Sequence, residues 1–200
     1  MDPSRQSAPS ERRIPTSCRL FVGIVLSDAA RATCAAAIET LRRAGFAARF
    51  EEPEKLHVTL AFLGNVAPSR VEEIAAAMGA AASQCAPVTV TLDKTGAFPH
   101  ERTPRVVYVG AREQGAGFRN LSAQVRAAYV KLGFLFKEDA VAHVTIARVK
   151  DSRRPLPLIE IPATPLEVDA LTLFESVFDK EKNTSRYVES ARCSLKTPPS

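Results

Sequence analysis

Two copies of one four-residue pattern, His57-Val58-Thr59-Leu60 and His143-Val144-Thr145-Ile146, hold two of the three histidines of this 200-residue chain. Imidazole has an ordinary pKa of about 6.5, so near neutral pH one ring can be protonated while another is neutral. A pair of such rings can divide general-acid and general-base work. The threonine hydroxyls beside them can donate hydrogen bonds to phosphate oxygens. No Asp or Glu recurs at a fixed offset from the copies, and there is no His-Glu-x-x-His, no Gly-Lys-Ser/Thr loop and no Gly-x-Gly-x-x-Gly. Those are the usual marks of metal, nucleotide-phosphate and dinucleotide sites. The residue set therefore points to proton transfer at a phosphodiester, with neither metal ion nor cofactor.

Each copy alternates polar and apolar, which predicts a half-buried strand. Residues i and i+2 share a strand face, so each imidazole sits beside its threonine with two aliphatics behind. Around the copies, residues 18–26 read as a strand and 29–44 as a helix capped by Asp28 and ended by Gly45. A short strand is expected at 47–51 and the first motif strand at 56–62, closed by Gly64-Asn65. A helix at 68–84 opens on the capping-box pattern Ser69-Arg70-Val71-Glu72. A strand at 87–93, a loop at 96–104 and a strand at 105–109 lead to a helix at 117–131 with an apolar stripe. The second motif strand spans 141–149, and a Pro-rich connection follows at 151–165. Strands at 166–178 and 186–193 flank a polar turn. Strands that follow one another without a helix favour antiparallel pairing, hence an α+β fold. The two motifs on comparable strands suggest two similar lobes facing one another.

At this level the chain resembles the LigT-like two-histidine phosphoesterases, most closely RNA 2',3'-cyclic phosphodiesterases. The resemblance is carried by Leu56-His57-Val58-Thr59-Leu60-Ala61-Phe62-Leu63-Gly64, by Ala97-Phe98-Pro99 with Pro104-Arg105-Val106-Val107-Tyr108-Val109-Gly110, and by His143-Val144-Thr145-Ile146-Ala147-Arg148. Leu173-Phe174-Glu175-Ser176 and Tyr187 also fit. It implies two pseudo-symmetric lobes of antiparallel sheet, with outer helices, around a central groove. It implies hydrolysis of a terminal 2',3'-cyclic phosphate to a 2'-phosphomonoester. His57 takes the proton-donor role and His143 the proton-acceptor role, while Thr59 and Thr145 hold phosphate oxygens. Motif symmetry alone leaves acid and base interchangeable. Arg148 and Phe62 match further ligand contacts: a guanidinium for developing charge and a ring for a terminal base. Strict alternation puts an i+5 residue on the face opposite the histidine, so a bulge or strand end is needed to bring either back. Relatives often carry proline where Ala142 stands, and Trp before the first motif where Phe50 is the nearest aromatic. Glu175, Ser176 and Tyr187 are assigned to stabilising the C-terminal hairpin, and His100 to an exposed loop.

The bulk properties fit this reading without specifying it. A net charge of +5 is compatible with RNA. Cys18, Cys34, Cys85 and Cys193 are scattered, which predicts free, mostly buried thiols in a reducing cytoplasm. No apolar run is long enough for a membrane span, and residues 1–17 do not read as a secretory signal. The expected organisation is a disordered tail at 1–17, one bilobal domain at 18–195 and a second disordered tail at 196–200. The expected partners are RNA ends or small cyclic-phosphate nucleotides, with no protein partner, and a monomer. Two alternatives stay open: a 2',5'-phosphodiesterase or cyclic-nucleotide phosphodiesterase using the same site, and an RNA- or nucleotide-binding module without catalysis.

Overall fold

Both motif copies form strands of one antiparallel sheet in the computed structural model, which describes residues 17–151, 153–181 and 183–196. The expected tails therefore lie outside the described residues, save Ser17 and Lys196. In chain order the strands are β1 (Cys18–Val25), β2 (Arg49–Phe50), β3 (His57–Val66), β4 (Val88–Leu92), β5 (Lys94–Phe98), β6 (Val106–Gly110), β7 (His143–Arg148), β8 (Thr164–Val168), β9 (Ala170–Asp179) and β10 (Thr184–Ser194). The helices are α1 (Asp28–Arg43), α2 (Val71–Ala82) and α3 (Gly115–Val130). The main sheet runs β10-β9-β1-β3-β7-β6-β5, with β2 added on β7; β4 and β8 pair separately. The motif strands β3 and β7 sit side by side at its centre, where Val58 pairs with Val144.

The aliphatics behind the histidines make this centre the core. Val58, Leu60, Val144 and Ile146 are each at most 2% exposed. Burying such side chains stabilises by about 1.5–3 kcal/mol each, enough to fix which strand face turns inward. The helices cover that face crosswise. α1, which follows β1, packs on β7 and β8; α3, which precedes β7, packs on β3, β4 and α2. α1 buries Ala30, Thr33, Cys34, Ala37, Ile38 and Leu41, a stripe at helical spacing. Its cap is Ser27 rather than Asp28: the Ser27 hydroxyl accepts from Ala30 N at 3.3 Å, and Asp28 occupies the first turn.

Other boundaries moved for local reasons. The capping-box pattern before α2 makes no side-chain cap; the turn Pro68–Arg70 precedes the helix, and Arg70 reaches across to Leu132 O at 2.9 Å. The expected loop from 96 begins inside β5, which pairs with β6. Gly96 hides this strand from the sequence, but the residue is required there: a Cβ would sit 2.5 Å from the Tyr108 hydroxyl oxygen. The expected strand 166–178 is two strands in different sheets, broken at Asp169. Cys18, Cys34 and Cys85 are buried free thiols and Cys193 is half-buried. No helix among the described residues is long and apolar enough to cross a membrane.

Candidate active site

His57, Thr59, Phe62, His143, Thr145 and Arg148 all line one open cleft of about 270 Å³ on the solvent face of β3 and β7. The sheet explains the gathering. Val58 pairs with Val144, so extending the antiparallel register one residue either way sets His57 beside Thr145 and Thr59 beside His143. All four side chains alternate away from the buried aliphatics and are half-buried.

A bulge in each motif strand brings in the other two. Val22 pairs with Ala61 and Gly23 with Thr59, which leaves Leu60 as an extra residue in β3. Val107 pairs with Ala147 and Tyr108 with Thr145, which leaves Ile146 extra in β7. The bulges thus fall at the same position in both copies, and each reverses the side-chain parity beyond it. Phe62 and Arg148 consequently face the cleft, where the family resemblance places them and strict alternation does not. The Phe62 ring is half exposed, and the Arg19 guanidinium lies 5.0 Å over it.

Each histidine is oriented by the backbone. His57 Nδ1 lies 2.6 Å from Lys55 O and His143 Nδ1 lies 2.9 Å from Val141 O. A carbonyl oxygen only accepts, so Nδ1 carries hydrogen in both rings and Nε2 is the nitrogen that can exchange a proton in the cleft. Thr59 Oγ1 lies 3.0 Å from His57 Nε2, whereas His143 Nε2 has no hydrogen-bond partner among the described residues. Aromatic rings hold both imidazoles. Phe21 lies 4.7 Å and Tyr187 5.3 Å from His57, and Phe98 lies 5.1 Å and Tyr108 5.5 Å from His143.

The electrostatics are unequal in the same way. Burial is the largest influence on His57 and pushes its pKa below 6.5, assisted by His143 and Arg148; the Lys55 carbonyl and Glu51 oppose it. Burial also pushes His143 down, with Arg148 assisting and the Val141 carbonyl opposing. Both rings are therefore neutral at pH 7 in the free protein, and an anion placed between them favours the imidazolium form of either.

Four cleft residues carry no signal in the sequence: Arg19, Arg49 and Lys55 add positive charge and Glu51 adds one carboxylate. Ser176 and Tyr187, assigned above to the hairpin, also form part of the wall. The last two do more than join β9 to β10, since Tyr187 packs edge-on against His57. His100 stays in its exposed loop, beside Thr103. Among the described residues no three His, Cys, Asp or Glu side chains gather as metal ligands would.

Gly23 sets how closely β1 passes the first histidine. A Cβ there would lie 2.9 Å from Val58 O and 3.4 Å from His57 Cδ2. Gly23→Ala is therefore expected to push β1 and the Val58 carbonyl apart, shifting the backbone beside His57, and to lower kcat by about 10²-fold, with a smaller change in KM. Steady-state kinetics on a folded variant check this; an unchanged kcat refutes it.

The model of the LigT-like phosphoesterase family matches residues 24–108. The RNA 2',3'-cyclic phosphodiesterase of Archaeoglobus fulgidus is 35% identical over 132 residues, 66% of this chain and 73% of the relative. That of Methanothermobacter thermautotrophicus is 32% identical over 143 residues, 72% of this chain and 77% of the relative. The crystal structure of Escherichia coli LigT complexed with 3'-AMP superposes with a TM-score of 0.71 at 26% identity, covering 90% of this chain and 99% of the other. A crystal structure of a Thermus thermophilus protein gives a TM-score of 0.77 at 26% identity, covering 90% of this chain and 98% of the other.

Proposed function

The chain belongs to the LigT-like phosphoesterases, and from that membership we propose that it hydrolyses 2',3'-cyclic phosphate ends of RNA to 2'-phosphomonoesters by proton transfer between His57 and His143. The observation that carries the reading is the pair of Nδ1-anchored imidazoles on one cleft face, each beside a threonine hydroxyl. With the cyclic phosphate between them, His143 Nε2 takes a proton from the attacking water. The new P–O bond forms as the bond from phosphorus to the 3'-oxygen breaks. Protonated His57 Nε2 gives its proton to that leaving oxygen. Thr59 and Thr145 hold the non-bridging oxygens, and Arg148 meets the charge that builds on them. Phe62 offers a flat face to the terminal base. The substrate is an RNA end or a small cyclic-phosphate nucleotide.

The test is a synthetic oligoribonucleotide ending in a 2',3'-cyclic phosphate, incubated with excess EDTA. Full turnover to a 2'-phosphate is expected. Loss of activity to the chelator refutes the metal-free route, and a 3'-phosphate product refutes the assignment of the leaving oxygen.

A further inference from the structure

A cleft built for an anion has no obvious use for a carboxylate, yet Glu51 lines it with a side chain only 9% exposed. Its position is fixed at both ends. The backbone N–H donates to Ile146 O at 2.9 Å, just beyond the pairing of β2 with Arg148 and Ala147. The side-chain Oε1 accepts from Arg148 Nε at 3.0 Å. Binding is through Nε, and among the described residues neither terminal guanidinium nitrogen of Arg148 has a hydrogen-bond partner, so both can meet another acceptor. Beyond Glu51 the same segment runs on to Lys55, whose carbonyl orients His57. One residue is thus tied to the arginine of the second motif and lies in the cleft with the histidine of the first.

We propose that Glu51 is a positioning residue: it anchors Arg148 so that its terminal nitrogens meet the phosphate, and its carboxylate, held in the cleft with His57, supports the proton on that ring. This rests on the cyclic phosphodiesterase reading of the cleft. The other charges around His57 do not supply the same support. His143 and Arg148 of β7 both oppose a proton on His57. Lys55 is committed to Glu52 at 3.0 Å and to the Thr184 hydroxyl at 2.9 Å. Arg19 and Arg49 line the cleft as cations, and Tyr187 of β10 stays neutral because burial pushes its pKa up. His57 also lines a second, small cavity together with Arg31, Glu54 and Glu189, but none of these three is among the charges that shift it. Glu51 is the carboxylate that favours a proton on His57, and Arg148 is the charge that bears on His143.

The experiment compares the full chain with Glu51→Gln and Glu51→Asp. It combines an NMR pH titration of the histidine rings in the free protein with kinetics on a 2',3'-cyclic nucleotide. In Glu51→Gln the His57 midpoint is expected to fall by roughly half to one pH unit while that of His143 holds. The alkaline limb of the kcat profile, set by the acid, should move to lower pH, and KM should rise several-fold. Glu51→Asp keeps the charge and is expected to restore the His57 midpoint but not KM. An unmoved His57 midpoint, or equal movement of both rings, overturns the proposal. If Glu51→Gln does not fold, Glu51→Ala takes its place in the same titration, with the same expected fall at His57 and the same overturning results. The titration needs no turnover, so failure of the wild type to hydrolyse the substrate counts against the enzyme reading and leaves this one to the NMR.

Discussion

His57→Ala and His143→Ala are each expected to lower kcat on a 2',3'-cyclic phosphate by about 10²–10⁴-fold. The double variant should be little worse than the poorer single one, because acid and base act in one step. Each ring's Nδ1 is committed to a backbone carbonyl, so its Nε2 is the nitrogen available to the substrate. The pH profile gives the sharper readout. One ring must be protonated and the other neutral, and burial holds both pKa values below 6.5 in the free protein. The kcat/KM optimum, which reports the free enzyme, should therefore lie below pH 6.5. As pH rises through the pKa of the acid, its proton is lost and the rate falls. As pH drops through the pKa of the base, the acceptor is blocked. A bound phosphodiester favours the imidazolium, so the kcat profile should sit at higher pH. His57→Ala should flatten the alkaline limb and His143→Ala the acidic limb. Near-normal rates in either variant, or a kcat/KM optimum well above neutrality, refute the pair.

Arg148→Ala is the second large effect, with an expected loss of about 10²–10³-fold in kcat, the usual size for removing a donor to developing charge. The guanidinium sits at the cleft because Ile146 is bulged, and it is held there through Nε by Glu51. Lysine's three donors all sit on one nitrogen, so Arg148→Lys cannot hold Glu51 on one side and present a planar pair of donors to the phosphate on the other. It should recover little of the loss in kcat. The side chain is 53% exposed, so the thermal midpoint of either variant should stay near that of the wild type. Single-turnover rates separate this from weaker binding: a loss confined to KM refutes a transition-state role.

The sequence makes the motif strands legible because alternation is a local property, and Val58, Leu60, Val144 and Ile146 bury as alternation demands. It leaves the bulges undecided, because parity beyond Thr59 and Thr145 depends on which residues β1 and β6 set opposite. Arg148 and Phe62 were therefore identifiable as candidates but could not be placed. Glu51, Arg49 and Arg19 carry no pattern at all. They reach the cleft because β2 docks on β7 and β1 lies beside β3, contacts set by tertiary pairing alone. The break at Asp169 is invisible for a related reason, since both flanking segments are strand-forming and only their partners differ.

The crosswise packing of the helices has a bearing on how the molecule assembles. Each motif strand is covered by a helix from the other side of the sequence, and β1 lies between β3 and β9. Few of these neighbours are close along the chain, so loop closure must come before most of the stabilising contacts. Folding is then expected to be slow, on roughly the millisecond-to-second scale of non-local topologies, which stopped-flow refolding measures. Neither motif can be completed in a separate half, because each half lacks the helix that buries its aliphatics. The two imidazoles meet only when the whole sheet has closed, so the return of catalysis after dilution from denaturant tracks the final, global step of folding.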